Sequence, residues 1–400
     1  MTRDGPGLGG TLAGLRVVEV AQNLAGPYCA KVLGDLGADV IKVEPPYGDA
    51  ARGWGPPFHQ GAGTIFAFVN TGKRSITLDL KTDEGRTALL RLLETADVLV
   101  DALRPGALDA MGVDDDALTT ANPGLVRLQV LAYGEEGPLA ELPGYEPLMQ
   151  AHAGLMAATG PRGGPPVRVG TSLVDMGTGM WGALAVLAAL RERDRTGHGA
   201  RLSTALFDTA VMWNGYHLLG AAAEGFVPPP MGTELAMICP YGTVPTTDGE
   251  LMVSAANDRL FRRLCEVLGL ETLADDPRFG SNAERVAHRD EVNERLHAAT
   301  RDHSTDGLQA LLREVGVPCA PVRDVGQLLD DPQFHASAML ARETADGEGA
   351  RLGVALPIRW NGARSGAATR IPEPGEHTRE VLRELGLRTA RAGDPEADPA

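Results

Sequence analysis

LRVVEVAQNLAGPYCAKVLGDLGADVIKVE, residues 15–44, decides the fold class of this chain. Residues 15–20 and residues 38–44 are rich in valine and isoleucine, and each predicts a strand. Between them, residues 21–27 form a turn of small residues, and residues 28–36 carry a helical pattern. A strand, a short turn, a helix and a second strand make a βαβ unit, which requires parallel strands.

The same alternation continues through the first half of the chain. Further strands are predicted at residues 73–80, 97–100, 125–131 and 200–206, with a helix over residues 82–95. We therefore expect a doubly wound, mainly parallel, Rossmann-like sheet of five or six strands. Ligands of such sheets bind at the carboxyl ends of the strands. No G-x-G-x-x-G follows the first strand and no P-loop motif is present, so a standard dinucleotide or nucleoside triphosphate site is not expected.

After the Pro-rich stretch at residues 226–230 the pattern changes. A hairpin is predicted over residues 242–253, and helices follow at residues 258–268, 282–300 and 304–315. This pattern predicts a small α+β domain of residues 226–330. The large α/β domain would consist of residues 1–225 plus 331–400.

Composition excludes several classes of function. The formal net charge of −16 argues against a nucleic-acid partner, because phosphate backbones need a basic face. The four cysteines are scattered without a CxxC pair, so neither a metal site nor a disulfide framework is indicated. The apolar run 180–190 is shorter than a bilayer requires, and no signal-peptide pattern is present. We expect a cytoplasmic protein without a membrane partner.

GTSLVDMGTG, residues 170–179, leads into an apolar helix that is predicted from about residue 176 to residue 193. Asp175 has two interpretations. It has the spacing of an N-cap to Thr178, or it is a catalytic carboxylate at a helix entrance. In both cases the free backbone N–H groups of the helix would lower its pKa. Gly177 and Gly179 leave room for another molecule.

Several cations and acids follow predicted strands or begin predicted helices. Lys73 and Arg74 open a strand and Arg104 lies in a loop after a strand, so each is either a phosphate ligand or a surface ion-pair residue. Glu146 is either a partner of the helix dipole or a group within a site. His152 is interpreted as a helix-surface or packing residue.

Motifs along almost the whole chain resemble the class III CoA-transferase family, of the CaiB/BaiF type. In the large domain they are LAGLRVVE (12–19), AGP (25–27), LGADVIKVE (36–44), NTGKRS (70–75), RPG (104–106) and VDMGTG (174–179). Further along the chain they are NDRLF (257–261), GVPCAPV (316–322), GEHT (375–378) and LGL (385–387).

The resemblance implies a site and an assembly. Asp175 would be the catalytic nucleophile, with backbone N–H groups around Gly177 to Gly179 stabilising the oxyanions. Lys73 and Arg104 would pair with phosphates of CoA. The expected CoA-binding residues are Ala25, Asn70, Gly72, Lys73, Arg74, Arg104, Tyr145 and Glu146. It also implies an interlocked homodimer and no tightly bound cofactor, with coenzyme A entering as the acyl-CoA substrate.

The implied reaction moves CoA from an acyl-CoA donor to a carboxylic acid acceptor. It would proceed through an aspartyl anhydride and an aspartyl-CoA thioester. The family suggests a small dicarboxylic donor such as succinyl-CoA, and nothing in the sequence identifies the acceptor.

Departures from the family pattern keep alternatives open. Formyl-CoA transferases have a glutamine where this chain has Leu24, and a run of glycines where residues 231–238 contain one, so formate and oxalate are poor candidates. The related α-methylacyl-CoA racemases use a His–Asp pair, and their His falls on Tyr145, a weaker base for proton exchange. A racemase is therefore the second interpretation, and a CoA-binding protein without chemistry is the third.

Overall fold

The computed structural model describes residues 7–344 and 349–387, which form two compact units. Within those residues, the first unit contains residues up to 153, residues 170–213 and residues from 336 onward. The second unit contains Gly154–Val169 and Asn214–His335. These limits differ from the predicted domain boundaries near residues 226 and 330, because a short segment before Gly170 and the helix after Asn214 pack with the second unit.

A six-stranded, fully parallel sheet organises the first unit. Its strands are β1 (Arg16–Val20), β2 (Asp39–Glu44), β5 (Arg74–Thr77), β6 (Val98–Asp101), β7 (Val126–Leu131) and β8 (Ala200–Ala205). Their spatial order is β5-β2-β1-β6-β7-β8, so the chain reverses its direction of winding between β1 and β6. This is the doubly wound topology that the alternating pattern predicted, with six strands.

Helices cover both faces of this sheet. The helices of the first unit are α1 (Ala25–Asp35), α2 (Thr64–Asn70), α3 (Asp83–Leu93), α4 (Asp115–Ala121), α5 (Glu146–His152), α7 (Leu173–Thr196), α8 (Leu206–Trp213) and α17 (Thr378–Glu384). Two-stranded ribbons pair β3 (Phe58–His59) with β4 (Ala62–Gly63), β12 (Leu340–Glu343) with β13 (Arg351–Val354), and β14 (Arg359–Trp360) with β15 (Ala363–Arg364).

The two faces of the sheet differ in chemistry because side chains alternate along each strand. On one face, Val18, Ile41, Ile76 and Leu99 pack with residues of α3, α4 and α17 in a fully apolar core. On the other face, which carries α1 and α7, the alternate positions of β1 and β2 include Glu19 and other charged residues.

The C-terminal segment covers the edge strand β5. The N–H of His377 donates to the carbonyl of Ser75 at 2.8 Å, and the N–H of Gly72 donates to the carbonyl of Arg370 at 2.9 Å. The N–H of Thr77 donates to the Thr378 hydroxyl at 3.0 Å. This segment satisfies donors and acceptors that an open sheet edge would expose.

Helix α7 is longer than the sequence predicted, with 24 residues. By length and composition it could cross a membrane, with a mean hydropathy of 1.6 over an 18-residue window. It contacts α1, β7 and β8, and half of that window is buried. This is the pattern of a core helix in an α/β protein.

The second unit is α+β. Strands β9 (Tyr241–Pro245), β10 (Glu250–Ser254) and β11 (Cys319–Pro321) form an antiparallel sheet in the order β11-β10-β9. Its helices are α6 (Leu155–Ala158), α9 (Gly215–Glu224), α10 (Asp258–Val267), α11 (Glu271–Asp275), α12 (Asn282–Ala287), α13 (Arg289–Thr300), α14 (Thr305–Glu314) and α15 (Val325–Leu329), with α16 (Pro332–Ser337) at the boundary between units. The predicted helix over residues 282–300 is therefore two helices that meet at His288.

Candidate active site

The buried face of α7 lies directly against the backbone of α1. A Cβ atom at Gly179 would lie 2.5 Å from the carbonyl oxygen of Ala25 and 2.9 Å from the amide nitrogen of Cys29. One turn further along α7, a Cβ at Gly182 would lie 3.3 Å from the Cys29 sulfur. Only glycine permits this approach, so α1 and α7 run side by side with their first turns at the same edge of the sheet.

Asp175 lies on the same face of α7 as Gly179, one turn closer to the N-terminus. Because Gly179 is level with Ala25, the first residue of α1, Asp175 lies beyond the N-terminal end of α1. This is the carboxyl edge of the parallel sheet, where the loop after β1 and the loop after β6 diverge. Doubly wound proteins bind their ligands at this position.

The N-terminus of α1 carries free donors. Leu24 precedes the helix without a side-chain cap, and the N–H groups of Ala25 and Gly26 donate to no group in the part of the chain that the structure describes. In the turn before the helix, Asn23 has a φ of 68°, which is a left-handed backbone conformation. This conformation makes the turn tight. Two uncapped N–H groups at the positive end of a helix favour negative charge nearby.

The N-cap interpretation of Asp175 is wrong. Helix α7 begins at Leu173, its N-cap is Ser172, and Asp175 is therefore the third helical residue. The sequence placed the helix start later because Gly177 and Gly179 read as turn residues. Here those glycines serve close packing within the helix.

The expected lowering of the Asp175 pKa is also wrong. Burial, and next the negative charge of Glu146, raise the pKa of Asp175 to about 7. These two effects outweigh the helix N-terminus, because a half-buried carboxylate loses much of its contact with water. Asp175 therefore titrates near neutral pH, as catalytic groups often do.

Glu146 and Tyr145 stand at the start of α5. Glu146 is the first helical residue, is 3% exposed, and accepts a hydrogen bond from the buried amide of Gln150. Tyr145 precedes the helix and is 63% exposed. The structure thus brings Glu146 into electrostatic range of Asp175, whereas the Tyr145 side chain faces solvent.

The backbone N–H groups of Gly177 and Gly179 do not fit the expected oxyanion role. Both residues lie inside α7, beyond its first four positions, where each N–H donates to the carbonyl four residues earlier. The first turn of α1 offers free donors at this edge of the sheet.

Lys73 and Asn70 are buried structural residues, which does not fit phosphate binding by Lys73. The Lys73 ammonium donates to Glu19 at 2.6 Å, to the Asn70 side-chain oxygen at 2.9 Å and to the carbonyl of Pro27 at 2.9 Å. Lysine has three N–H donors, and all three are used. Burial lowers the pKa of Lys73 to about 8 against the raising effect of Glu19.

Of the remaining predicted residues, Arg74 and Gly72 make structural contacts, whereas Arg104 is exposed. Arg74 forms ion pairs with Asp39, Glu380 and Glu384, so its guanidinium is occupied. Gly72 has a φ of 77° and packs against the C-terminal segment, where a Cβ would lie 2.7 Å from the Ala368 Cβ. Arg104 is exposed after β6 and forms no ion pair with any residue in the described ranges.

Three buried charged residues around Lys73 were not expected from the sequence: Glu19, which pairs with Lys73, and Lys42 and Asp49, which continue the network. Burial pushes the pKa of Glu19 upward, but Lys42 and Lys73 outweigh it and hold the pKa below its usual value. A signal was present, because Glu19 and Lys42 interrupt otherwise apolar strands. A charge inside a buried strand requires a partner.

His152 packs edge-on against Tyr133 and Phe207, with ring centroids 5.7 Å and 5.3 Å apart. This supports its interpretation as a packing residue. Among residues 7–344 and 349–387, no group of three His, Cys, Asp or Glu side chains has the arrangement of a metal site.

Comparisons with known proteins identify the family of this chain. The family model for CoA-transferase family III matches residues 12–378. The chain is 36% identical to a succinate–glutarate CoA-transferase of Agrobacterium fabrum, over 94% of this chain and 95% of that protein. It is 32% identical to a mouse succinyl-CoA:glutarate CoA-transferase, over 94% and 86% of the two chains.

A solved structure agrees as well. A CaiB/BaiF family protein from Brucella suis superposes with a TM-score of 0.83 at 38% identity, covering 94% of this chain and 99% of that one. The chain belongs to CoA-transferase family III and is an enzyme of that class.

The raised pKa of Asp175 makes stability depend on pH. Between the unfolded pKa near 4 and the folded pKa near 7, the folded protein holds a proton that the unfolded chain has lost. Relative to an Asp175→Asn variant, the wild-type free energy of unfolding should therefore fall as pH rises from 4 to 7 and stay level above. We expect a fall of about 2 kcal/mol, because partial contact with water screens the rest.

Urea titrations of both proteins across this pH range measure the difference. Glu146→Gln removes the neighbouring charge and should move the fall to lower pH. A wild-type stability that rises relative to Asp175→Asn between pH 4 and 7 would mean that the pKa is lowered.

Proposed function

We propose that Asp175 carries CoA between an acyl-CoA donor and a carboxylic acid acceptor. One observation carries the proposal: a carboxyl group with a pKa of about 7 lies beyond the uncapped first turn of α1, at the ligand-binding edge of the sheet. Membership of the CoA-transferase family supports it.

The proposed reaction consists of four balanced acyl exchanges. The Asp175 carboxylate attacks the thioester carbonyl, giving a mixed anhydride and CoA thiolate. The thiolate attacks the Asp175 carbonyl, giving an aspartyl-CoA thioester and the free donor acid, which leaves with one oxygen of Asp175. The acceptor carboxylate then attacks the aspartyl thioester, giving a second anhydride and releasing CoA thiolate. The thiolate attacks the acceptor carbonyl, giving the product thioester and the free Asp175 carboxylate.

Oxyanion stabilisation in this scheme comes from the first turn of α1. The N–H groups of Ala25 and Gly26 are free and preorganised, and they lie beside the α7 face that carries Asp175. Each tetrahedral intermediate places negative charge on a former carbonyl oxygen, which such donors stabilise without rearrangement.

Arg104 is the proposed phosphate ligand for CoA. It is an exposed arginine after β6, at the carboxyl edge of the sheet, and it has no ion-pair partner among the described residues. Ala25 and Gly72 are proposed as backbone contacts. Asn70, Lys73 and Arg74 would support the site without contacting CoA, because their side chains bind other groups of the protein.

The proposed substrates are small dicarboxylic acids and their CoA thioesters, with succinyl-CoA as the donor. The names of the relatives support this choice, since both the Agrobacterium fabrum protein and the mouse protein are described by succinate or succinyl-CoA and glutarate.

An interlocked homodimer is also proposed. Leu173, Met180 and Leu184 form an apolar stripe on the side of α7 opposite Asp175, and each is at least 38% exposed. An exposed apolar stripe on a central helix is typical of a protein–protein interface.

Turnover with a panel of acyl-CoA donors and acids tests the proposed reaction. We expect succinyl-CoA to support CoA transfer, and hydroxylamine added with the donor alone to convert Asp175 to a hydroxamate that peptide mass spectrometry detects. Asp175→Asn should abolish both, with a loss of at least about 10³-fold, because no nucleophile remains. Deuterium exchange at the acyl α-carbon without transfer would instead indicate a racemase.

Sedimentation equilibrium tests the assembly. We expect a mass of about twice 42.1 kDa that persists on dilution, because linked chains cannot separate without unfolding. Leu184→Glu should reduce the yield of dimer, while Leu311→Glu, on α14, should leave it unchanged. A mass of one chain at every concentration would contradict the proposal.

A further inference from the structure

A buried network of charges lies beneath the loop that leads into α1. Lys42 donates to Glu19 at 2.7 Å and to the carbonyl of Ala21 at 2.8 Å, and it forms an ion pair with Asp49 at 2.9 Å. Lys73 joins the other oxygen of Glu19. Glu19, Lys42, Asp49 and Lys73 are each less than 5% exposed.

The network holds three backbone groups of residues 21–27. Lys42 binds the carbonyl of Ala21, Asp49 accepts from the N–H of Asn23 at 3.2 Å, and Lys73 binds the carbonyl of Pro27. These contacts lie before, within and after the turn in which Asn23 has a positive φ. The turn and the first turn of α1 are therefore fixed from below by side chains of β1, β2 and the loops that follow α2 and β2.

Stability alone is a weak reason for this arrangement. Two lysines and two carboxylates removed from water lose hydration, and apolar residues of similar volume often serve as well. What charges add is direction: Lys42, Lys73 and Asp49 each hold one backbone group of the turn at hydrogen-bond distance. A backbone that must hold free N–H groups toward a reacting carbonyl benefits from that.

We propose that the Glu19–Lys73 pair is a positioning device for the N-terminus of α1. The pair holds the carbonyl of Pro27, and with it the N–H groups of Ala25 and Gly26, in register with the acyl group on Asp175. Lys73 acts through this backbone and touches neither CoA nor substrate. The inference rests on the proposed function and adds two positioning residues to it.

Kinetics with two thioester substrates test the role of the pair. Acyl-CoA carries all the phosphates, and the matching acyl-pantetheine carries none. We expect Lys73→Met and Glu19→Gln to lower kcat by roughly ten- to a hundred-fold on both substrates alike, with KM for acyl-CoA changed by less than about three-fold. Arg104→Gln is the comparator, and its loss should be confined to acyl-CoA.

Two further variants separate positioning from folding. Lys31→Met is the matched control, since Lys31 is also a buried lysine but its ammonium pairs with Asp35 and not with Glu19 or the carbonyl of Pro27. It should keep kcat within about two-fold of wild type. The double variant Glu19→Gln/Lys73→Met leaves Lys42 and Asp49 in charge balance, so it should regain the thermal midpoint lost by Lys73→Met while remaining slow.

Two results would overturn the proposal. A loss in Lys73→Met that appears with acyl-CoA but not with acyl-pantetheine would make Lys73 a phosphate ligand. An unchanged kcat with a lowered thermal midpoint, as in Lys31→Met, would make the pair purely structural. Failure of the proposed function is distinct, because wild-type enzyme would then form no Asp175 thioester with either substrate.

Discussion

The close contact between α7 and α1 is the constraint on which the site depends. Because no side chain separates Gly179 from the carbonyl of Ala25, the backbones of the two helices are in contact. This contact fixes how far α7 extends beyond the first turn of α1. Asp175, one turn beyond Gly179, consequently stands at the uncapped end of α1. A bulkier residue at position 179 would push the helices apart and separate the carboxyl group from the donors proposed to stabilise its acyl intermediates.

Two carboxyl groups near this contact have pKa values shifted in opposite directions. Above the sheet edge, burial and Glu146 raise the pKa of Asp175 to about 7, so the carboxyl group is only partly ionised near neutral pH. Below it, Glu19 is held ionised by Lys42 and Lys73, and those lysines hold the turn into α1. The ionised form of Asp175 is thus destabilised, whereas the ionised form of Glu19 is stabilised. The difference follows from the number of cations within reach of each group.

The fold was predictable because its signals are local. The βαβ pattern of residues 15–44 gave the parallel sheet, since strand and helix periodicities appear directly in a sequence. The sequence also made Asp175 a candidate catalytic residue, through the glycines around it and the family resemblance. Its pKa could not be predicted, because Glu146 approaches it only in the folded chain. The engagement of the Lys73 ammonium could not be predicted for the same reason: Glu19, its partner, lies 54 positions away in the sequence. Contacts between residues that are distant in the sequence determine these pKa values and ion pairs, and the periodicity of a sequence does not reveal such contacts.

The central claim is that Asp175 is the covalent carrier of CoA, and oxygen tracing tests it most directly. In the proposed exchanges, the acceptor carboxylate leaves one of its oxygens on Asp175 when its acyl group departs as the product thioester. A single turnover with an ¹⁸O-labelled acceptor acid should therefore place one ¹⁸O atom in the peptide that contains Asp175, and repeated turnovers should place two, as read by mass spectrometry. A peptide that stays unlabelled through many turnovers, while product thioester accumulates, would contradict the account.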